Sequence, residues 1–88
     1  MRGLLGRASL EAGEGVLLRP AGSIHTFFMR FPIDAVFLDA ELVVRAIRPH
    51  LGPWRLAAAR GSKSVLELAA GEAARCGLSV GDRLLLEQ

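Results

Sequence analysis

The stretch IHTFFMRFPIDAVFLDAELVVRAIR, residues 24–48, decides the fold class of this chain. Residues 24–30 are rich in aromatic and β-branched side chains, which suit a pleated, half-buried strand. Pro32 cannot donate a hydrogen bond to a sheet ladder, so we expect the chain to turn at residues 31–34. The stretch therefore predicts extended structure on both sides of a proline bend.

A β-hairpin is predicted directly after this bend. Strands are expected at residues 35–39 and 42–48, because both stretches are apolar and a tight connection joins them. Asp39 in that connection is expected to cap its own turn through its side chain rather than to act as an acid or base. Asp82, which follows a glycine near the end of the chain, is expected to do the same.

Weaker signals flank the hairpin on both sides. Residues 54–60 fit a strand and a coil equally well. Strands are predicted at residues 16–19, 64–68 and 83–86, and a turn or frayed helix at residues 4–10.

One short helix is predicted near the carboxyl terminus, at residues 71–76. Glu72 near its positive end and Arg75 near its negative end complement the helix dipole, and Gly77 suits the left-handed position that ends many helices. The expected fold is α+β, with a mostly antiparallel, compact, barrel-like sheet and one short helix. We expect a single domain over residues 1–88.

Length and composition restrict the class of protein. A chain of 88 residues, 51% of them hydrophobic, fits one domain with its own core. No apolar run approaches the roughly 20 residues that span a bilayer, and the first residues lack the apolar segment of a secretory signal. The single cysteine, Cys76, cannot form an internal disulfide. A cytoplasmic location is therefore expected.

The charges give little sign of a polyanionic partner. The formal net charge is +2, and the basic residues are scattered among nine acidic ones. Nucleic-acid binding sites concentrate basic residues on one face, so we expect neither a nucleic-acid nor a membrane partner. Only a loose central cluster stands out: Arg45, Arg48, Arg55, Arg60 and Lys63.

Arginine strongly outnumbers lysine. Ten of the eleven basic residues are Arg, and Asn is absent. Heat adaptation is one hypothesis for this bias. A melting temperature in the ordinary mesophile range would contradict it.

Two stretches resemble the domain-of-unknown-function 192 family. The first is HTFFMRFPID, residues 25–34, followed by VFLD, residues 36–39. The second is VLELAAG, residues 65–71, which continues through residues 77–78 to VGDR, residues 80–83. The resemblance implies a compact, barrel-like α+β domain that occurs in bacteria and archaea and has no established activity.

The proline bend contains four candidate ligand-binding residues: His25, Met29, Arg30 and Asp34. One interpretation is that Arg30 and neighbouring backbone amides hold a small anionic or polar ligand. The other, which we favour, is that Arg30 pairs with Asp34 and stabilises the turn.

Glu67 is the fifth candidate. Strand alternation places it on the face opposite Leu66 and Leu68. We expect an edge or surface position, because glutamate is almost never fully buried without a partner. An internal position would require a partner, and Arg is the natural one.

No catalytic, metal or cofactor site is predicted. His25, His50 and Cys76 are isolated in the sequence, whereas zinc needs three or four ligands that are usually closely spaced in at least one pair. Cys76 is expected at a helix end, where the dipole does not activate a thiol, and we expect it to be a small packing residue. No nucleotide-binding or hydrolase motif occurs.

The residues favour a non-catalytic module that binds a small molecule or a carbohydrate. A concave sheet face lined by Phe27, Met29, Phe37 and Trp54 would form the site. One alternative is a protein interaction module that pairs through an exposed strand edge. The other is a small enzyme with Asp34 or Glu67 as general base and His25 as partner. The sequence names no ligand and no oligomeric state.

Overall fold

Six strands and one short helix make up the part of the chain that the computed structural model describes, residues 15–26 and 30–84. In chain order they are β1 (Gly15–Leu18), β2 (Ser23–His25), β3 (Ile33–Leu38), β4 (Val44–Leu51), β5 (Leu56–Ala58), β6 (Ser64–Ala69) and α1 (Glu72–Arg75). All strand pairs of the two sheets are antiparallel. The predicted α+β class with a short helix near the carboxyl terminus is confirmed.

The strands of the described part form two separate sheets rather than one closed barrel. β1, β6, β3 and β4 lie side by side in that order and form the main sheet, while β2 and β5 pair as a two-stranded ribbon. The ribbon packs on one face of the main sheet, the ribbon face, through Ile24 and Ala57. α1 packs on the opposite face, the helix face, through Ala73. The domain therefore has three layers.

The two central strands of the main sheet carry both halves of the core. Every residue of β3 is buried, and so is every residue of β6 except the last. Strands buried on both faces are normally apolar throughout, which makes the acidic Asp34 and Glu67 within them exceptional. The buried apolar side chains of the main sheet are Val16, Ile33, Ala35, Phe37 and Val65 on the ribbon face and Leu17, Val36, Leu38, Val44, Leu66 and Leu68 on the helix face.

The predicted hairpin is confirmed, with different strand ends. β3 begins at Ile33, directly after the exposed Pro32, so Asp34 lies within the strand and not in a turn. β4 continues through Pro49 to Leu51. An edge strand tolerates this proline, because the N–H groups on its outer side have no partner in the ladder.

Aspartate side chains stabilise two turns that lie near the start of β4 in space. Asp39 accepts hydrogen bonds from the backbone N–H groups of Glu41 and Val43, at 2.8 and 3.0 Å. These two donors hold the pKa of the Asp39 carboxyl below its ordinary value, Val43 having the larger effect. Asp82 accepts one hydrogen bond from the N–H of Ser79, at 2.9 Å. The turn-capping roles predicted for both aspartates are confirmed.

Other segments agree with the sequence-based prediction only in part. The strand expected at residues 24–30 ends at His25, and Arg30 lies in an exposed bend. The undecided segment 54–60 contains β5. The last predicted strand contributes a bridge between Arg83 and Val43, and residues 85–86 lie outside the described part, as do residues 4–10. The predicted helix is confirmed, and Gly77 after it has φ of 71°.

Asp34 connects the main sheet to the helix. Its fully buried Oδ1 accepts a hydrogen bond from the N–H of His50 at 2.9 Å, and Oδ2 accepts from the N–H groups of Gly71 and Ala73 at 3.1 and 2.9 Å. A buried carboxylate requires such donors. The described residues contain no ion pair between Asp34 and Arg30, so the predicted pairing is wrong. Arg30 is exposed in the bend, while Asp34 points to the helix face.

Replacing Asp34 with Asn is expected to lower the free energy of unfolding by about 2 to 4 kcal/mol. The reason is that the NH2 group of the amide would replace one carboxylate oxygen and face backbone N–H donors, with which it cannot form a hydrogen bond. Urea unfolding measures the loss. Asp82→Asn is the matched control: its exposed carboxylate accepts one backbone hydrogen bond, so its loss should stay below about 1 kcal/mol. Equal losses in the two variants would contradict the connecting role of Asp34.

Candidate functional site

The three candidates for acid-base chemistry do not converge. Asp34 lies on the helix face, where backbone N–H groups surround its carboxylate. Glu67 lies on the ribbon face, because it is opposite Ala35 in the ladder. His25 is exposed on the outer side of the ribbon, since Ile24 beside it points into the core. The enzyme alternative therefore lacks the common cleft that it requires.

Glu67 is buried at the centre of the main sheet. Only 2% of its surface is exposed, and its ladder neighbours are the apolar Val16 and Ala35. The expected edge or surface position is wrong, because β6 is covered by the ribbon and by α1. No arginine pairs with Glu67 among the described residues: Arg48 is opposite Ala35 on the next strand, but its side chain is exposed. Burial raises the pKa of the Glu67 carboxyl to about 7.

A groove follows the ribbon. Its volume is about 460 Å³. Among its walls, His25 faces Leu56 across the two strands, and Leu56 is 74% exposed. The exposed leucine beside the imidazole gives the groove both apolar and polar surface. The groove is lined by Ser23, Ile24, His25, Leu56, Ala57 and Ala58.

A buried threonine fixes the loop at one end of this groove. The Thr26 hydroxyl donates to the carbonyl of Gly52 at 2.7 Å and accepts from the N–H of Arg55 at 2.9 Å. Its backbone donates to the carbonyl of Arg55 and accepts from the N–H of Trp54, both at 2.9 Å. Thr26 is 1% exposed. These bonds define the position of residues 52–55.

Trp54 projects from this loop into solvent. Its φ is 63° and 66% of its surface is exposed. The predicted concave face is wrong in part, because Phe37 is fully buried in the core and does not share a surface with Trp54. The fixed conformation of this loop was not predicted from the sequence, although a threonine within an aromatic run indicates a polar role on an otherwise apolar segment.

The remaining sequence-based candidates have different outcomes. Arg30 is exposed, and Phe27 and Met29 lie outside the described residues. Cys76 is exposed at the end of α1 and is not the packing residue that we expected. The described residues contain no group of three or more His, Cys, Asp or Glu side chains arranged to hold a metal ion. No helix within the described ranges is long and apolar enough to cross a membrane.

Glu67→Gln is expected to raise the free energy of unfolding at pH 8 by about 1 to 3 kcal/mol and to change it little at pH 4. The folded-state pKa of about 7 lies above the ordinary value of 4.5. Below pH 4.5 the carboxyl is neutral in both the folded and the unfolded state, so its burial does not bury a charge. The free energy of unfolding therefore falls as the pH rises from 4.5 through about 7. Denaturant unfolding over a pH series measures this dependence. Parallel pH profiles for Glu67→Gln, the exposed control Glu41→Gln and the unchanged protein would contradict it.

Thr26→Val is expected to destabilise the domain by about 1 to 3 kcal/mol, because Gly52 and Arg55 lose a side-chain partner. Thr26→Ser keeps the hydroxyl and should lose clearly less. Urea unfolding gives the free energies, and the fluorescence anisotropy of Trp54 reports the mobility of the loop. A valine variant that is no less stable than the serine variant would contradict the role of the hydroxyl.

Comparisons with known proteins agree with this geometry. The model of the DUF192 family, described as Uncharacterized ACR, matches residues 1–86. Two similar solved structures are a protein of unknown function from Novosphingobium aromaticivorans and a protein from Sinorhizobium meliloti described as a candidate transcription regulator. Each is 28% identical to the chain over 92% of its length, with a TM-score of 0.82.

The alignment leaves part of both solved proteins uncovered. The chain spans 63% of the Novosphingobium protein and 68% of the Sinorhizobium protein. A search of the curated proteins gave no match. On the match over nearly its whole length, the chain belongs to the domain-of-unknown-function 192 family, a family whose function is not known.

Proposed function

We propose that this domain is a non-catalytic module that binds a small ring-bearing molecule, a carbohydrate or a nucleoside, on the outer side of the ribbon beside Trp54. The observation that carries the proposal is the exposed indole on a loop that the buried Thr26 holds in place. A flat aromatic surface next to a groove suits a ring that stacks on it.

Backbone strain at Trp54 supports this proposal. A positive φ is costly for a non-glycine residue, by about 1 to 3 kcal/mol, and persists where the surroundings fix it. Here Thr26 supplies that fixation through the hydrogen bonds to Gly52, Trp54 and Arg55. A platform that is rigid before binding loses less conformational entropy when the ligand arrives.

The other candidate residues differ in how directly they contact the ligand in this proposal. His25 lines the groove and offers a hydrogen-bonding imidazole to ligand hydroxyls. Arg30 lies in the exposed bend after β2 and serves a polar or anionic substituent. Glu67 is buried beneath the ribbon and contacts the ligand only if the ribbon moves. Asp34 does not contact the ligand and contributes only by stabilising the fold. Met29 stays a candidate from sequence.

The absence of a shared cleft favours binding over catalysis. Asp34 and Glu67 face opposite sides of the main sheet, and His25 lies beyond the ribbon. We include a cytoplasmic location in the proposal, because one exposed cysteine needs no oxidising compartment. Detection of the protein in a secreted fraction would contradict that location.

Tryptophan fluorescence tests the site directly, because the chain has one Trp and no Tyr. Titration with neutral oligosaccharides and with nucleosides should give a saturable change in the emission of Trp54. By calorimetry, Trp54→Ala should weaken binding of the responding ligand about 30-fold, as expected for an aromatic anchor. Val80→Ala is the matched control, an apolar side chain that is 65% exposed in the turn before Asp82.

Two results would overturn the proposal. One is the lack of a saturable emission change with every oligosaccharide and nucleoside. The other is an affinity that Trp54→Ala and Val80→Ala leave equally intact.

A further inference from the structure

Two segments of the chain are basic and contain no acidic residue. Residues 15–33 and 42–66 contain seven of the eleven Arg and Lys residues and no Asp or Glu. These segments include both strands of the ribbon. All seven side chains are exposed: Arg19, Arg30, Arg45, Arg48, Arg55, Arg60 and Lys63.

Six of these cations lie on the ribbon face or in the segments next to β2 and β5. Arg48 belongs to the ribbon face, because it is opposite Ala35 in the ladder between β3 and β4. The others lie in the segments that lead into or out of β2 and β5: Arg19, Arg30, Arg55, Arg60 and Lys63.

The acidic side chains of the described part are either buried or lie near the start of β4, beside Lys63, whose N–H donates to the carbonyl of Leu38. Asp39, Glu41 and Asp82 gather at the start of β4, where Asp39 binds the N–H groups of Glu41 and Val43 and the carbonyl of Asp82 accepts from Val44. Arg45 and Arg83 exert their charge on Asp39 there. The buried acids are Asp34, Glu67 and Glu72, the last paired with Arg75. Within residues 15–26 and 30–84, β2, β5 and the segments next to them therefore carry exposed cations and no acidic side chain.

We propose that the ribbon side binds single-stranded nucleic acid, with a base stacked on Trp54 and phosphates beside Arg48 and Arg55. This inference rests on the proposed function, because it names a ligand class for the same Trp54 site. A nucleic-acid strand presents a negative phosphate at every nucleotide and a flat base between phosphates. It thus matches both the charge and the exposed indole.

The geometry favours a single strand over a duplex or an acidic peptide. A base within a duplex is stacked on its neighbours, so Trp54 reaches an open base face only on an unpaired strand. α1 has four residues and packs on the helix face, so it offers no recognition helix to a major groove. An acidic peptide would satisfy the arginines and leave the indole and Leu56 uncovered.

The spacing of the cations along the chain is the reason that no nucleic-acid partner is expected from the sequence alone. The cations are spaced singly along the chain, and nine acidic residues are interspersed when the whole sequence is counted. In the fold, both strands of the ribbon come from the acid-free segments, while Asp39, Glu41 and Asp82 lie near the start of β4. Charge density on a surface, rather than along the chain, decides binding to a polyanion.

Anisotropy of a labelled oligothymidylate of about twelve nucleotides tests the inference at about 50 mM KCl, with a dissociation constant expected at about the micromolar level. Arg48→Gln and Arg55→Gln should each reduce the slope of log affinity against log salt by about 0.7. Trp54→Ala should weaken binding about tenfold and Trp54→Phe should weaken it less. Arg83→Gln, an exposed arginine at the acidic turn, is the matched control and should change neither quantity. A thermal melt shows that each variant is folded.

Several outcomes would overturn the inference. If a duplex, heparin or polyglutamate binds as tightly as the oligothymidylate, the surface recognises shape or charge alone and not an unpaired base. A second outcome is that oligosaccharides or nucleosides bind at Trp54, while the oligonucleotide binds no more tightly than its nucleoside. This outcome would refute the inference and leave the proposed function standing. If none of these ligands changes the emission of Trp54, both fail.

Discussion

The fold depends on the hydrogen bonding of one buried carboxylate. Asp34 is in a central strand with no exposed surface, where a polar side chain is stable only when hydrogen-bond donors surround it. The donors are backbone N–H groups of His50, Gly71 and Ala73. Because backbone groups cannot be displaced without moving their elements, this carboxylate sets the position of the β4 end and of α1 relative to β3. The main sheet thereby becomes a fixed base on which the ribbon and its exposed loop are presented.

The second buried carboxyl lies among apolar neighbours instead of backbone donors. Glu67 is on the adjacent central strand but faces the ribbon, beside Val16 and Ala35. With apolar neighbours, its burial favours the neutral acid, and the pKa rises to about 7. One sheet therefore contains an aspartate held by three donors on one face and a glutamate enclosed by apolar groups on the other. The buried aspartate on the helix face thus stabilises the fold, whereas ligand binding is proposed on the ribbon side.

Local features were predictable from the sequence, and long-range ones were not. The β3–β4 hairpin, the Asp39 turn and the short helix depend on residues a few positions apart, so periodicity and turn chemistry predict them. The donors to Asp34 lie 16, 37 and 39 residues away, and nothing local identifies them. Glu67 was placed at the surface because composition rules describe typical glutamates, whereas the layer that covers it comes from a different part of the chain. The position of Trp54 likewise depends on Thr26, 28 residues earlier in the sequence.

The irregular end of β4 has a consequence for how copies of the domain meet. β4 is an outermost strand of the main sheet, and Pro49 lacks an N–H while His50 has φ of 51°. A neighbouring chain that tried to extend the sheet there would find a gap in the row of donors and a backbone bent out of the pleat. Edge-to-edge growth, the route by which small β domains polymerise, is thus obstructed at this border by the same residues that bring the His50 N–H to Asp34.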